Sequence, residues 1–155
     1  MPSAGRSYGR AALLLAAVVV LDQVSKALVR NNVAVGDENS VFLGVNIVHV
    51  KNKGVAFGVL SGKPIVMIIV IVALCGLLVW FFLHSRRRYV WIPTGLLLGG
   101  AVGNIIDRVA FGEVTDWIKV PIWPAFNIAD VAITTGVVAL LWVLERRDDG
   151  AEQPA

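Results

Sequence analysis

Of four acids that this 155-residue chain sets among other polar residues, Asp22, Asp107, Asp116 and Asp130, the last two have no obvious local cation, and they lie only 14 residues apart. Two carboxylates forced close together cannot both ionise easily, so such a pair holds one proton at neutral pH. That state suits peptide hydrolysis: the carboxylate takes a proton from a water while its protonated partner polarises the scissile carbonyl. The chemistry needs no metal and no cofactor, and none is expected; a hard-cation site collects more carboxylates from one loop. Other catalytic groups are scarce. The single cysteine, Cys75, sits in an apolar run and reads as packing; alone it excludes a disulfide framework and a multi-thiolate metal site. No serine–histidine or cysteine–histidine pair joins the acids, because His84 falls at the opposite surface and His49 reads as a surface histidine in a long loop.

Further polar residues accompany the two acids. Asp22 and Lys26 are four apart, one helical turn, and pair on one face. Asn104 and Arg108 share a face by the same spacing, with Asp107 adjacent to both, and Asn127 and Asp130 share a face at a spacing of three. Several of these have a structural reading first. Asp22 with Lys26, and Asp107 with Arg108 or another partner, read as ion pairs that hold helices together, and Asn104, Arg108 and Asn127 serve as interhelical hydrogen-bonding groups.

The elements that must position these residues follow from composition. Hydrophobic residues make up 57% and charged residues 16%, against about 25% charged in a typical soluble domain, and mean hydropathy is +0.74. A globule this small cannot bury that much apolar surface, which excludes a soluble enzyme, a coiled coil and disorder. The expected fold is an integral membrane protein, mainly α, with four transmembrane helices in a single membrane domain over 1–155. A span needs about 20 apolar residues. The runs that qualify lie at about 11–29, 64–83, 89–108 and 126–144, with outer loops over 31–62 and 109–125. Arg6 and Arg10 before the first run also fit a cleaved signal peptide, but no A-x-A-like site follows, so a retained helix is the reading. Arginines cluster at Arg6 and Arg10, at Arg86 to Arg88, and at Arg146 and Arg147, which puts both termini in the cytoplasm.

The long outer loop contains SVFLGVNIVHVKN and reads as short strands with turns at the membrane surface. The short one carries Trp117 and Trp123 and reads as lying against the headgroups. The tail from Asp148 reads as mobile, and ERRDD at 145–149 as a solvated helix end. On this topology the costly polar residues of three helices fall at one depth, just inside the outer surface.

At these residues the chain resembles the lipoprotein signal peptidases (signal peptidase II). The resemblance rests on an ordered series: DQVSK at Asp22 to Lys26, NKGVAF at Asn52 to Phe57, GNIIDRV at Gly103 to Val109, VTDW at Val114 to Trp117, and FNIAD at Phe126 to Asp130. It implies a bacterial cytoplasmic-membrane aspartyl endopeptidase with a small extracytoplasmic β-cradle and its active site near the extracytoplasmic face. Such an enzyme cleaves prolipoproteins N-terminal to the diacylglyceryl-modified cysteine. The resemblance implies Asp116 and Asp130 as catalytic acids. It implies Asn52, Gly54, Asn104, Arg108, Asn127, Ala129, Asp22 and Lys26 as residues that bind substrate or support the site, and Asp107 as structural. The expected partners are diacylglyceryl-modified prolipoproteins and membrane lipid, with no nucleic acid, and the chain is expected to be a monomer. A sideways approach of an apolar signal peptide from the bilayer fits acids at that depth. Asn52, Asn127 and Arg108 are expected to orient the substrate backbone, and the glycines of the long outer loop to let it close over the peptide.

Other classes fit less well. A proton-coupled transporter needs polar residues along a path through the membrane, whereas the inner halves of these helices are nearly featureless. A non-enzymatic assembly factor has no use for a carboxylate pair.

Overall fold

The computed structural model describes residues 4–42, 44–54, 64–85 and 87–146. Four helices account for most of them: α1 over Ala4–Asn32, α2 over Pro64–His84, α3 over Trp91–Phe111 and α4 over Ile128–Glu145. Three short strands complete the fold: β1 over Glu38–Phe42, β2 over Val45–Asn52 and β3 over Val114–Lys119. The first helix is longer than the apolar run of 11–29, since nothing in AGRSYGR or RNN breaks a helix and backbone pairing continues past both polar ends.

Close approach organises the bundle around α3. Its glycines at 95, 99 and 103 recur every four residues and face α1. A Cβ on Gly95 would lie 2.9 Å from Leu14 Cβ, and one on Gly99 would lie 2.8 Å from Val18 Cβ. On another side, Gly100 meets α4 so tightly that a Cβ would lie 2.5 Å from the Ala129 carbonyl oxygen. Small residues in this pattern let helix backbones approach where no hydrophobic effect drives them together. Both α1 and α4 therefore pack on α3, while α2 joins through α3 and through an edge-on contact of Tyr8 with Phe82 at 5.3 Å.

The partition of side chains is inverted relative to a soluble protein. Asp22, Lys26, Asp107 and Asn127 are wholly buried, whereas Leu13, Val20, Ile69, Leu77, Val138 and Leu141 are exposed on the helix surfaces. Charged residues are almost never fully buried in water-soluble folds unless paired. Two helical segments, Ser7–Asn32 and Ile128–Glu145, are long and apolar enough to cross a membrane by length and composition. α3 is the polar member, with Thr94, Asn104 and Asp107 buried against its neighbours.

The strands form one antiparallel sheet in the order β1-β2-β3. β1 and β2 make a hairpin whose turn contains Gly44 at φ 79°, and β3, from the α3–α4 connection, pairs with β2 so that Val50 opposes Asp116. The Trp-bearing segment read as lying against headgroups is thus partly a strand, stitched to the long loop. Gly112, at φ 74°, ends α3 and returns its N–H to the Arg108 carbonyl, a left-handed cap that glycine adopts without Cβ strain. His49 corrects the surface reading. It is buried on β2 and its Nδ1 lies 2.8 Å from the Val33 carbonyl oxygen just after α1. Pairing of β2 with β3 lays the strand across the end of α1, which no local pattern around His49 signals.

Candidate active site

One asparagine joins the two unpaired acids. Asn127 caps α4: its side-chain oxygen accepts the Asp130 N–H at 3.0 Å, and its own backbone N–H donates to Asp130 Oδ2 at 3.2 Å. This reciprocal capping box satisfies two of the amides that a helix start leaves without partners. The remaining end of the same side chain, Nδ2, donates to Asp116 Oδ1 at 2.7 Å. The local need to cap α4 therefore also fixes where Asp130 stands relative to β3.

Each carboxylate is then held by a second amide. Asn52, the last residue of β2, donates from Nδ2 to Asp116 Oδ2 at 2.8 Å. Asn104 on α3 donates from Nδ2 to Asp130 Oδ1 at 2.9 Å. The orientation of the Asn104 amide has a chemical cause. Its Oδ1 accepts from Lys26 Nζ at 2.9 Å and from Asn127 Nδ2 at 3.2 Å, both donors, which leaves Nδ2 to face the acid.

Behind this layer lies a saturated buried ion cluster. Lys26 has three acceptors for its three protons: Asp22 Oδ2 at 2.8 Å, Asp107 Oδ2 at 3.2 Å and Asn104 Oδ1. Asp22 also accepts the Ala129 N–H of α4 at 2.9 Å. It comes so near α3 that a Cβ on Gly103 would lie 2.6 Å from Asp22 Oδ2. Ala129 is fully buried beside it, where its single methyl fits. Asp107 reaches the other way and accepts the Thr115 N–H at 3.0 Å, which ties β3 to α3 one residue before Asp116. Its cations are Lys26 and, at 3.5 Å, Arg30, rather than the adjacent Arg108. Neighbours i and i+1 point to different sides of a helix. Arg108 turns instead to two carbonyls, Asn104 O and Gly54 O, each at 3.1 Å. Gly54 in turn donates its N–H to Asn52 Oδ1 at 2.9 Å, so the Asn52–Gly54 turn is held from both sides.

All eleven residues that the resemblance implies, Asp107 among them, thus meet at one end of the bundle, under the sheet. Asn52 and Asn127 are engaged with the acids rather than free for a peptide backbone. The part of NKGVAF beyond Gly54, the closing loop up to residue 62 and the tail from Asp148 lie outside the described residues. Sequence reasoning left out Gln23, Arg30 and Thr115. Gln23 donates to Asp107 Oδ1 and to the Gly103 carbonyl, both at 3.0 Å, and Arg30 reaches Thr115 Oγ1 at 3.3 Å. Arg30 had a signal, because Asp22, Lys26 and Arg30 recur every four residues on one face of α1. Thr115 had none, since its partners, Asp107 for the backbone N–H and Arg30 for the hydroxyl, both come from other elements.

The electrostatics separate the two kinds of acid. Asp22 and Asp107 pair with Lys26, whereas Asp116 and Asp130 enter no ion pair among the described residues. Burial under the sheet pushes the Asp116 carboxyl up to about 6; the nearby Asp130 charge adds to this, and the Asn52 and Asn127 N–H groups oppose it. Among the described residues no group of three or more His, Cys, Asp or Glu is arranged to hold a metal ion. The arrangement can hold one proton between two carboxylates whose orientations are set by four N–H donors.

Comparison with known proteins gives one consistent answer. The sequence profile of the family described as Signal peptidase (SPase) II matches residues 14–145. A lipoprotein signal peptidase of Moorella thermoacetica is 39% identical over 135 residues, covering 85% of this chain and 90% of the relative. That of Halothermothrix orenii is 36% identical over 137 residues, covering 85% and 94%. A bacterial membrane enzyme solved by the in meso method superposes with a TM-score of 0.85 at 33% identity, over 99% of this chain and 95% of the other. On its sequence and its fold alike, the chain belongs to the signal peptidase (SPase) II family.

Proposed function

We propose that Asp116 and Asp130 are the catalytic dyad with which this enzyme removes signal peptides from prolipoproteins, cleaving N-terminal to the diacylglyceryl-modified cysteine. The observation that carries the reading is Asn127, which donates to both carboxylates at once, from its backbone to Asp130 and from its side chain to Asp116. Two acids so held, with no cation paired to either among the described residues, share a proton. In the reaction the ionised member takes a proton from a water as its oxygen attacks the scissile carbonyl, and the protonated member hydrogen-bonds the carbonyl oxygen as charge develops there. That second acid passes its proton to the carbonyl oxygen to give a tetrahedral diol. On collapse the C–N bond breaks, the first acid gives the water-derived proton to the leaving amine, a diol hydroxyl returns a proton to the second acid, and the pair regains its starting charge.

The remaining residues act by position. Asn52, Asn104 and Asn127 keep the carboxylates aimed, and Arg108 with Gly54 holds the Asn52 turn. Asp22, Lys26 and Ala129 lock α1, α3 and α4 at the spacing the dyad requires. All four helices span the bilayer in one membrane domain, with both termini cytoplasmic, the sheet extracytoplasmic and the enzyme a monomer in contact with lipid. The support is the inverted burial, with every buried charge of the described residues gathered near the sheet. A signal peptide, itself an apolar helix, then reaches the dyad sideways from the lipid.

The test is cleavage of a diacylglyceryl-modified prolipoprotein by the purified enzyme in detergent with a chelator present. Wild type is expected to cleave, and Asp116→Asn and Asp130→Asn each to lose cleavage while still unfolding in one cooperative transition. Turnover surviving in either folded variant transfers the chemistry to another acid and ends the reading.

A further inference from the structure

The end of the bundle opposite the dyad carries a second, unassigned group of charges. Arg10 on α1, Arg87 and Arg88 before α3, and Arg146 after α4 gather there. Among the described residues none of them pairs with a carboxylate. Aromatic rings and carbonyls hold them instead. Arg146 stacks over Trp142 at 4.0 Å and reaches Tyr89 at 5.6 Å, Arg88 approaches that same Tyr89 ring at 5.3 Å, and Arg10 lies 5.9 Å from Trp91. Arg87 Nη1 donates to two carbonyls at the end of α4, Val143 O at 2.6 Å and Arg146 O at 2.8 Å.

Arg88 and Arg146 thus bring two positive charges to one tyrosine ring, an arrangement that an anion beside them would favour. Cation–π stacking fixes them without neutralising them, and Arg10, Arg88 and Arg146 remain exposed. The only acid of the described residues in these segments is Glu145. The surroundings specify what kind of anion fits. Tyr8, Trp80, Leu83, Trp142 and Leu144 are all exposed at this end, so bare apolar and amphipathic surface runs directly up to the guanidinium groups. A ligand must offer a phosphate or similar oxyanion to the arginines and hydrocarbon to the helix faces beside them. Arginine suits the first demand because its planar fork pairs with phosphate oxygens two at a time, and tryptophan and tyrosine mark the depth at which headgroups begin.

We propose that this arginine–aromatic cluster is a binding site for the headgroup of an anionic phospholipid in the leaflet opposite the dyad. The lipid phosphate pairs with Arg88 and Arg146 beside Tyr89 and so adds to the ties between the start of α3 and the end of α4, where Arg87 holds two carbonyls and Tyr89 packs on Trp142 at 5.8 Å. The inference rests on the reading that the helices span the bilayer. A nitroxide on Cys75, in the middle of α2, reports that spanning independently, so its failure is distinguishable from failure of the lipid site.

The test is thermal unfolding of the full chain in neutral detergent with added dioleoylphosphatidylglycerol, dioleoylphosphatidylcholine or inorganic phosphate, beside native mass spectrometry of bound lipid. The phosphatidylglycerol is expected to raise Tm by several degrees and to stay bound, while phosphatidylcholine and free phosphate do neither. The double variant Arg88→Gln/Arg146→Gln, which leaves the Arg87 contacts and the dyad untouched, is expected to lose that rise and keep wild-type cleavage in detergent. An equal rise with phosphatidylcholine, a rise with phosphate alone, or a rise that survives in the double variant each overturns the site.

Discussion

At the scale of single residues, amide orientation sets how the proposed dyad is held. Asn104 and Asn127 each present a defined end to an acid because their other ends are committed, to Lys26 and to the α4 backbone respectively. Asn52 is the most peripheral of the three, and only its Nδ2 donates to Asp116. Asn52→Ala is expected to lower kcat by about 10- to 100-fold, the rate equivalent of a hydrogen bond to a charged group at about 1.5–3 kcal/mol, with an unchanged yield of folded protein. Steady-state cleavage with a lipidated precursor measures it, and wild-type turnover would remove Asn52 from the site. Asp116 also carries a pH signature. Its carboxyl, raised from an ordinary 3.8 to about 6, takes up a proton on folding between those values. The fold therefore loses stability as pH rises from about 4 through about 6, and loses no more above that. Asp116→Asn is expected to abolish that slope and to be more stable than wild type at pH 7.5 but not at pH 4. Unfolding midpoints across that range check the sign.

At the scale of elements, α3 acts as the spine. Gly100 faces the Ala129 carbonyl so closely that a methyl has no room, whereas Gly76 on α2 has nothing within 4 Å of its missing Cβ. Gly100→Ala is expected to destabilise by about 1–3 kcal/mol through overpacking. Gly76→Ala is expected to be neutral or to stabilise by up to about 1 kcal/mol through helix propensity. Unfolding in detergent separates the two, and equal effects would show that the α3–α4 contact yields freely. The buried cluster makes the opposite kind of demand. Lys26→Met strands Asp22 and Asp107 without their shared cation and is expected to cost about 3–5 kcal/mol, seen as a collapse in the yield of folded protein.

At the scale of the whole molecule, burial is inverted, with charge inside and aliphatic side chains outside. A nitroxide on the single cysteine, Cys75, is expected to be accessible to oxygen and shielded from an aqueous nickel relaxant in bilayers, as a mid-span site must be. Strong aqueous accessibility there would contradict spanning by α2. The sheet is the other molecular feature. It draws β1 and β2 from one connection and β3 from another, and so places Asn52 and Asp116 over helix ends that hold Asn104 and Asp130. Neither connection forms the site alone.

Much of this was legible in the linear chain. Apolar runs of about 20 residues mark where the four helices lie, and spacings of three and four mark the faces of Asp22 with Lys26 and of Asn127 with Asp130. The absence of a cation near Asp116 and Asp130 already set them apart. What tertiary structure alone decided was partnership across distance. Asp107 takes Lys26 and Arg30 instead of its neighbour Arg108, because side chains next to each other in a helix diverge while those of a facing helix converge. His49 is buried and β3 is a strand, because backbone pairing between two remote loops determines both. The single asparagine that serves two carboxylates exists as a site feature only after α4 is capped beneath β3. Local spacing sets which residues share a face, but which faces meet follows from helix packing and strand register.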